Sequence, residues 1–331
     1  MSLNKLRTAI ASALLAGVAA TGVYANPAAA ATDPVSNPRV LIHYDLAAGE
    51  QPENITAAPG GAFLVVLSRA AKVERITPQG GRRVVASLPV PADGGINTPV
   101  LGFNFASGIV RMPDGTLYVG YATGHDDSTG IWRVRRGAAP ERVVALTGKS
   151  FPNGMALDQR THQIYFADST LGDIWRFSAK RGATAAVKWA GGAKLDPTGL
   201  YGLGVNGLKI HKNAVWVSNA DQGTLLRIPI GRKGTAGAFE TKLTGPIIDD
   251  FNFIGHSDSI LAALDPANEV ALIKPDGSYS IVMDSTDGIQ GGPTAAAIRG
   301  DKLYVVTAGF LTGSDPNVVV ADIDVRDAVR G

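Results

Sequence analysis

Short apolar runs rich in β-branched and aromatic residues recur along the chain, each ended by a cluster of Gly, Pro, Asn or Asp. Beyond the first 31 residues no long stretch keeps the 3.6-residue spacing of an amphipathic helix. The runs belong to a repeating unit of about 35 to 50 residues. Its opening reads Glu53-Asn54-Ile55-Thr56-Ala57, then Ser107-Gly108-Ile109-Val110-Arg111, Asn153-Gly154-Met155-Ala156-Leu157 and Asn206-Gly207-Leu208-Lys209-Ile210. Two looser copies follow, Asp249-Asp250-Phe251-Asn252-Phe253 and Pro293-Thr294-Ala295-Ala296-Ala297.

Each opening is followed by a turn and a second strand, expected at 63–67, 116–120, 163–167, 214–218, 259–263 and 302–307. Third strands are expected at 72–76, 130–134, 173–177, 224–228, 269–273 and 317–323. Turn chemistry agrees: Pro59-Gly60-Gly61, Pro113-Asp114-Gly115 and Pro275-Asp276-Gly277 preset φ with Pro or supply positive φ with Gly. Fourth strands fit 82–87, 141–146, 185–190, 239–243 and 279–283, and the sixth unit lacks one. Residues 39–44 can complete it, so the pattern predicts an all-β, six-bladed β-propeller closed by an N-terminal strand. An irregular sandwich has no reason to repeat one strand opening six times.

Composition sharpens this picture. The 331 residues include 40 Gly and 19 Pro, as a turn-rich fold requires, and 45% are hydrophobic, enough for a large core. Cys is absent, which removes disulfides, thiolate metal sites and Cys nucleophiles. With 31 basic and 29 acidic residues the net charge is +2, and basic residues cluster no further than the pairs Arg82-Arg83 and Arg135-Arg136, so nucleic acid is not an expected partner.

Residues 1–31 read as a secretory signal peptide: Lys5 and Arg7 precede an apolar stretch over 9–23, and small residues at 23–25 or 28–31 offer cleavage sites. The stretch falls short of the roughly 20 residues a membrane span needs. Its removal leaves 29 basic and 29 acidic residues, since it carries two of the 31 bases and no acid. The expected product is one propeller over 32–331, secreted or periplasmic, monomeric, without a membrane span.

In a propeller the first strand of each blade is innermost, so Glu53, Ser107, Asn153, Asn206 and Asp249 should meet at one mouth of the central channel. Two carboxylates and two amide carbonyls form an all-oxygen cage suited to Ca²⁺ or another hard divalent cation. Asn and Gly at such openings also serve simply as turn formers, but that reading accounts less well for Glu53 and Asp249, because isolated buried carboxylates are costly. The five His residues fall in no metal-binding spacing. Loops between second and third strands share this mouth and bring His125 and Asp168; longer connectors bring Phe103, Phe105 and Tyr201, an apolar wall for a small-molecule substrate.

The phrases Phe151-Pro152-Asn153-Gly154-Met155-Ala156-Leu157-Asp158, Gln163-Ile164-Tyr165-Phe166-Ala167-Asp168-Ser169 and Ile174-Trp175-Arg176-Phe177 resemble the gluconolactonase, regucalcin and luciferin-regenerating-enzyme family. The resemblance spans roughly residues 40–324 in repeat pattern and is specific around the third blade. It implies a six-bladed propeller with one catalytic divalent metal, and hydrolysis of lactones or related esters. The family's Glu ligand falls on Glu53 and its Asn on Asn153. Its Asp, a metal ligand and proton acceptor, falls on Asn206, and an amide ligates through its carbonyl but accepts no proton. Asp249, or its neighbour Asp250 if the alignment slips by one, is the expected replacement. The resemblance implies ligation by Glu53 and Asn153 and puts Asn206 at the third position; with Asp249 as the replacement carboxylate, the expected metal ligands are Glu53, Asn153, Asn206 and Asp249, and the expected catalytic residues are Asp249 and Glu53. Ser107, where the family more usually has Asn, joins His125, Phe103, Tyr201 and Asp168 as expected substrate contacts.

Two motif matches fail on context. Gly202-Leu203-Gly204-Val205-Asn206-Gly207 fits a dinucleotide fingerprint but leads into a strand, and Gly255-His256-Ser257-Asp258-Ser259 lacks the second Gly of a nucleophile elbow. Competing readings are a non-catalytic propeller holding a structural cation, and a strictosidine-synthase-like propeller, which no Glu at the fourth to sixth openings supports.

Overall fold

A computed structural model of the chain describes residues 33–180 and 185–330; the expected signal peptide, 1–31, lies outside them. Strand β1 (Val35–His43) precedes the first blade, β2 (Pro52–Ala57), β3 (Phe63–Leu67), β4 (Lys72–Ile76) and β5 (Arg82–Ser87). The second comprises β6 (Phe105–Arg111), β7 (Leu117–Ala122), β8 (Gly130–Val134) and β9 (Glu141–Ala145), and the third β10 (Pro152–Asp158), β11 (Gln163–Asp168), β12 (Asp173–Ser178) and β13 (Val187–Gly191). The fourth has β14 (Val205–His211), β15 (Ala214–Asn219), β16 (Thr224–Pro229) and β17 (Glu240–Thr244); the fifth has β18 (Phe251–Phe253), β19 (Ile260–Leu264), β20 (Glu269–Ile273) and β21 (Tyr279–Met283). β22 (Pro293–Arg299), β23 (Lys302–Thr307) and β24 (Asn317–Ile323) make the sixth, and β1 pairs antiparallel with β24 as its outermost strand.

Inner strands contact one another in the cycle β2, β6, β10, β14, β18, β22 and back to β2, which closes a six-bladed propeller. Second strands lie between two neighbouring blades and are buried on both faces. That is why Phe63-Leu64-Val65-Val66-Leu67 reads as an unbroken apolar run rather than an alternating one. Phe63, Val65 and Ile55 of the first blade pack against Ala295, Tyr304 and Val318 of the sixth, so closure buries core instead of leaving a seam. Each Val, Ile or Phe among them contributes about 1.5–3 kcal/mol through burial.

A 3₁₀ turn at Ser285–Asp287 and one α-helical turn escape the strand pattern. Helix α1 (Val325–Val329) starts at Asp324, whose carboxylate accepts from the Arg326 and Asp327 N–H groups, and it buries Ala328. Five residues are too few for a periodicity to declare itself.

The repeated opening has a structural meaning: it is a β-bulge. Register with the second strand slips between Pro52 and Asn54, Ala106 and Ile109, Pro152 and Met155, Val205 and Leu208, and Pro293 and Ala295. In the fifth blade Asp249 N–H donates to the Ala263 carbonyl while Ala263 N–H donates to that of Asp250, again two residues opposite one. A bulge frees its residue from strand alternation and re-aims the side chain, here toward the axis. The Gly that follows is set by the next blade: a Cβ on Gly154 would lie 2.4 Å from the Leu208 nitrogen, and one on Gly108 would lie 2.2 Å from the Asn153 oxygen.

Candidate functional site

Four of the bulged residues, Glu53, Asn153, Asn206 and Asp249, line one cavity of about 100 Å³ at a mouth of the channel. A fifth polar residue joins them that sequence reasoning passed over: Asp265, from the turn between β19 and β20. Its only sequence signal is its place after a second strand, the position Asp168 holds in the third blade. Phe105, Phe151 and Phe310 form the apolar wall, with Phe105 centred 5.1 Å from Phe151 and 5.4 Å from Phe310. Tyr201 completes it and is fixed by Asp221, which accepts the Tyr201 N–H at 2.6 Å and those of Thr198 and Gly199 at 2.9 Å.

Among the described residues no Lys or Arg lines this cavity. Glu53 is 5% exposed and its Oε2 has no hydrogen-bond partner. Burial holds its carboxyl well above the usual carboxylate range, and the negative fields of Asp249, Asp265 and Asp250 add to the effect. Asp249 is raised the same way, by burial and then by Asp265 and Asp250, while the Asn206 amide, donating to Asp249 Oδ1 at 2.7 Å, pulls it down. Burial alone pushes Asp265 up to about 7, and no hydrogen bond offsets it. The Asn153 side chain, on a residue 5% exposed, makes no hydrogen bond with the described residues.

The structure separates Asp249 from Asp250. Asp250 takes the Lys209 ammonium at 2.6 and 2.7 Å and the Asn54 amide at 3.0 Å, a buried contact joining the first, fourth and fifth blades. Its charge is matched, and Asp249 is the member of the pair that lines the cavity.

Four residues expected at the substrate are placed elsewhere. Ser107 is fully buried and donates to the Pro152 carbonyl at 2.6 Å, latching the second blade to the third as Thr294 latches the sixth to the first through the Pro52 carbonyl at 3.0 Å. A hydroxyl reaches the neighbouring backbone where the longer Asn and Glu reach the axis. His125 lies over a separate surface hollow, paired with Asp93 at 2.9 Å. Phe103 is buried behind Phe105, under the Arg69 guanidinium 5.0 Å from its ring centre. Asp168 is fully buried and accepts the Phe151 N–H at 2.9 Å, so it positions a wall residue rather than facing the cavity.

No group of three or more His, Asp or Glu side chains among the described residues is arranged to hold a metal ion. The donor set that does converge is mixed, with the carboxylates Glu53 and Asp249 beside the amides Asn153 and Asn206. It fits a hard divalent cation in kind: every donor is oxygen, the charge is negative, and one buried Glu53 oxygen lacks a partner.

No family model matches the chain, and no curated protein matches it in sequence. Solved structures do match in fold. Regucalcin from Agrobacterium tumefaciens, described as a calcium-binding protein, is 15% identical with a TM-score of 0.63, over 87% of this chain and 93% of that one. A gluconolactonase from Xanthomonas campestris is 13% identical with a TM-score of 0.61, over 91% and 98%. The PQQ-bound aldose sugar dehydrogenase from Streptomyces coelicolor is 17% identical with a TM-score of 0.58, over 87% and 98%. Gluconolactonase and regucalcin, the relatives that the third-blade phrases resemble, thus share this architecture; so does an oxidoreductase, and the fold by itself does not choose the reaction.

Proposed function

We propose that the chain is an exported hydrolase of lactones or related esters that uses a divalent cation, Ca²⁺ foremost, held by Glu53, Asn153, Asn206 and Asp249. The observation that carries this reading is the convergence of a buried Glu53 and a half-buried Asp249 in a cavity lined by no Lys or Arg, beside amides that offer further oxygens. When bound, the cation supplies Lewis acidity at the substrate carbonyl and lowers the pKa of a water.

The chain's own groups do the rest. Asn206 holds Asp249 Oδ1 through its N–H, which leaves Oδ2 to accept a proton from the attacking water. Glu53 is the second acceptor within the same cavity. Phe105, Phe151, Phe310 and Tyr201 hold the apolar part of a small-molecule substrate and keep bulk water from it.

Export rests on residues 1–31, and N-terminal sequencing of the purified protein tests it: a start between residues 24 and 33 supports cleavage, and an intact Met1 opposes it. Among the described residues no helix is long and apolar enough to cross a membrane. The mature chain is read as a monomer that binds no nucleic acid.

Hydrolysis of a lactone and aryl-ester panel, with and without EDTA, tests the reaction. Asn206, standing where the family has Asp, favours one second reading, a ligand-binding propeller with a structural cation. Calcium-dependent stability without turnover would select it.

A further inference from the structure

The cavity has an electrostatic imbalance that a divalent cation does not remove. Three carboxylates face it, Glu53, Asp249 and Asp265, with no Lys or Arg among the lining residues. A cation held at Glu53 and Asp249 would answer those two carboxylates and leave the third without a positive partner.

That remaining group is Asp265. It makes no hydrogen bond with the described residues, and it shares the cavity with the apolar groups of Tyr201, Phe310 and Pro266 as well as with Glu53 and Asp249, which feel its charge. Its carboxylate also leans on the backbone entering the sixth blade, because a Cβ on Gly292, at φ +79, would stand 2.6 Å from Asp265 Oδ1. Gly292 thus leaves the room that the carboxylate occupies. Asp265 is half-buried, so without a donor from its own chain its carboxylate takes its partner from water or from a ligand that enters the cavity.

We propose that Asp265 determines substrate charge: the cavity selects a ligand bearing an ammonium group, which pairs with Asp265 while its apolar body lies against Phe105, Phe151 and Phe310. Aromatic faces attract a cation as well as an apolar body, so the wall reinforces the selection. An anionic ligand meets uncompensated like charge and is excluded. The inference rests on reading the cavity as the ligand site and deepens that reading by naming the charge class of the substrate.

The probes are 2-phenylethylamine, 2-phenylethanol and phenylacetate, three molecules of similar shape with charges +1, 0 and −1, titrated calorimetrically into the calcium-equilibrated full chain. The amine should bind about tenfold or more tighter than the alcohol, and phenylacetate weakest. Asp265→Asn should abolish that preference for the amine while leaving alcohol affinity within about threefold, and Asp265→Glu should retain part of the preference. An amine that binds no tighter than the alcohol, or a preference that survives in Asp265→Asn, overturns the proposal. A wild-type ranking without a preference for the amine overturns the proposal whether or not the variants fold. Turnover of esters without charge preference would sink this inference and spare the hydrolase reading; charge-selective binding without turnover would do the reverse.

Discussion

The amide of Asn206 donates to Asp249 Oδ1 at 2.7 Å, so the opening residue of the fourth blade orients the carboxylate of the fifth. Asn206→Asp would remove that donor and add a charge beside Glu53, Asp249 and Asp265. We expect EDTA-treated Asn206→Asp to be less stable than wild type by about 1–3 kcal/mol, and calcium to restore most of the loss. Urea denaturation with and without calcium checks this; a variant as stable as wild type in EDTA would show that the carboxylates do not repel one another.

Metal-free protein should lose stability as pH rises. Asp265 has a folded-state pKa raised from the usual 3.8 to about 7, so between those values the folded state holds a proton that the unfolded chain has released. Its contribution therefore falls across that window and is fully lost above about 7. In EDTA the melting temperature of Asp265→Asn should exceed that of wild type by a margin that widens from pH 4 to 7. A constant margin would contradict the burial of this carboxyl.

Ser107 and Asn153 should separate structure from ligation although both open a blade. Ser107→Ala loses the bond to the Pro152 carbonyl and should cost about 1–2 kcal/mol with calcium affinity little changed. Asn153→Ala, which breaks no hydrogen bond among the described residues, should leave metal-free stability within about 0.5 kcal/mol while weakening calcium binding. Paired urea curves and calcium titrations read both effects, and equal losses of affinity would refute the distinction.

Lys209 neutralises Asp250 within the propeller, with side-chain exposures of 20% and 8%. Lys209→Met leaves that carboxylate buried with only Asn54, and a loss of about 3–5 kcal/mol is expected. Lys209→Met with Asp250→Asn should recover much of it. If the double variant is no more stable than the single, the pair is not what holds these blades together.

Strand content was legible because second strands are short, nearly unbroken apolar runs, and turns such as Pro59-Gly60-Gly61 and Pro113-Asp114-Gly115 part the strands. The spans 82–87 and 279–283 coincide with β5 and β21, and the closing strand proved longer than expected, Val35–His43 rather than 39–44. The recurring opening also marked Glu53, Asn153, Asn206 and Asp249 correctly as neighbours, since a bulge repeated at the innermost strand must bring its residues to one mouth. Side-chain reach was not legible. Ser107 occupies the same bulge but is too short for the axis, and Phe103 lies one layer behind Phe105 because Arg69 covers it. Asp265 was hidden because its one sequence signal, a place after a second strand, is shared by Asp168 of the third blade, and of the two only Asp265 lines the cavity.

We proposed that the bulged openings hold a divalent cation for ester hydrolysis. The most direct test is calcium titration into EDTA-stripped protein by calorimetry, with lactone and aryl-ester turnover recorded on the same samples, for wild type, Glu53→Gln and Asp249→Asn. The account predicts one calcium per chain in wild type, turnover that appears only with calcium, and loss of at least about tenfold in affinity and about a hundredfold in turnover in both variants. Absence of calcium binding to wild type, or turnover that persists in EDTA and in Asp249→Asn, would contradict it.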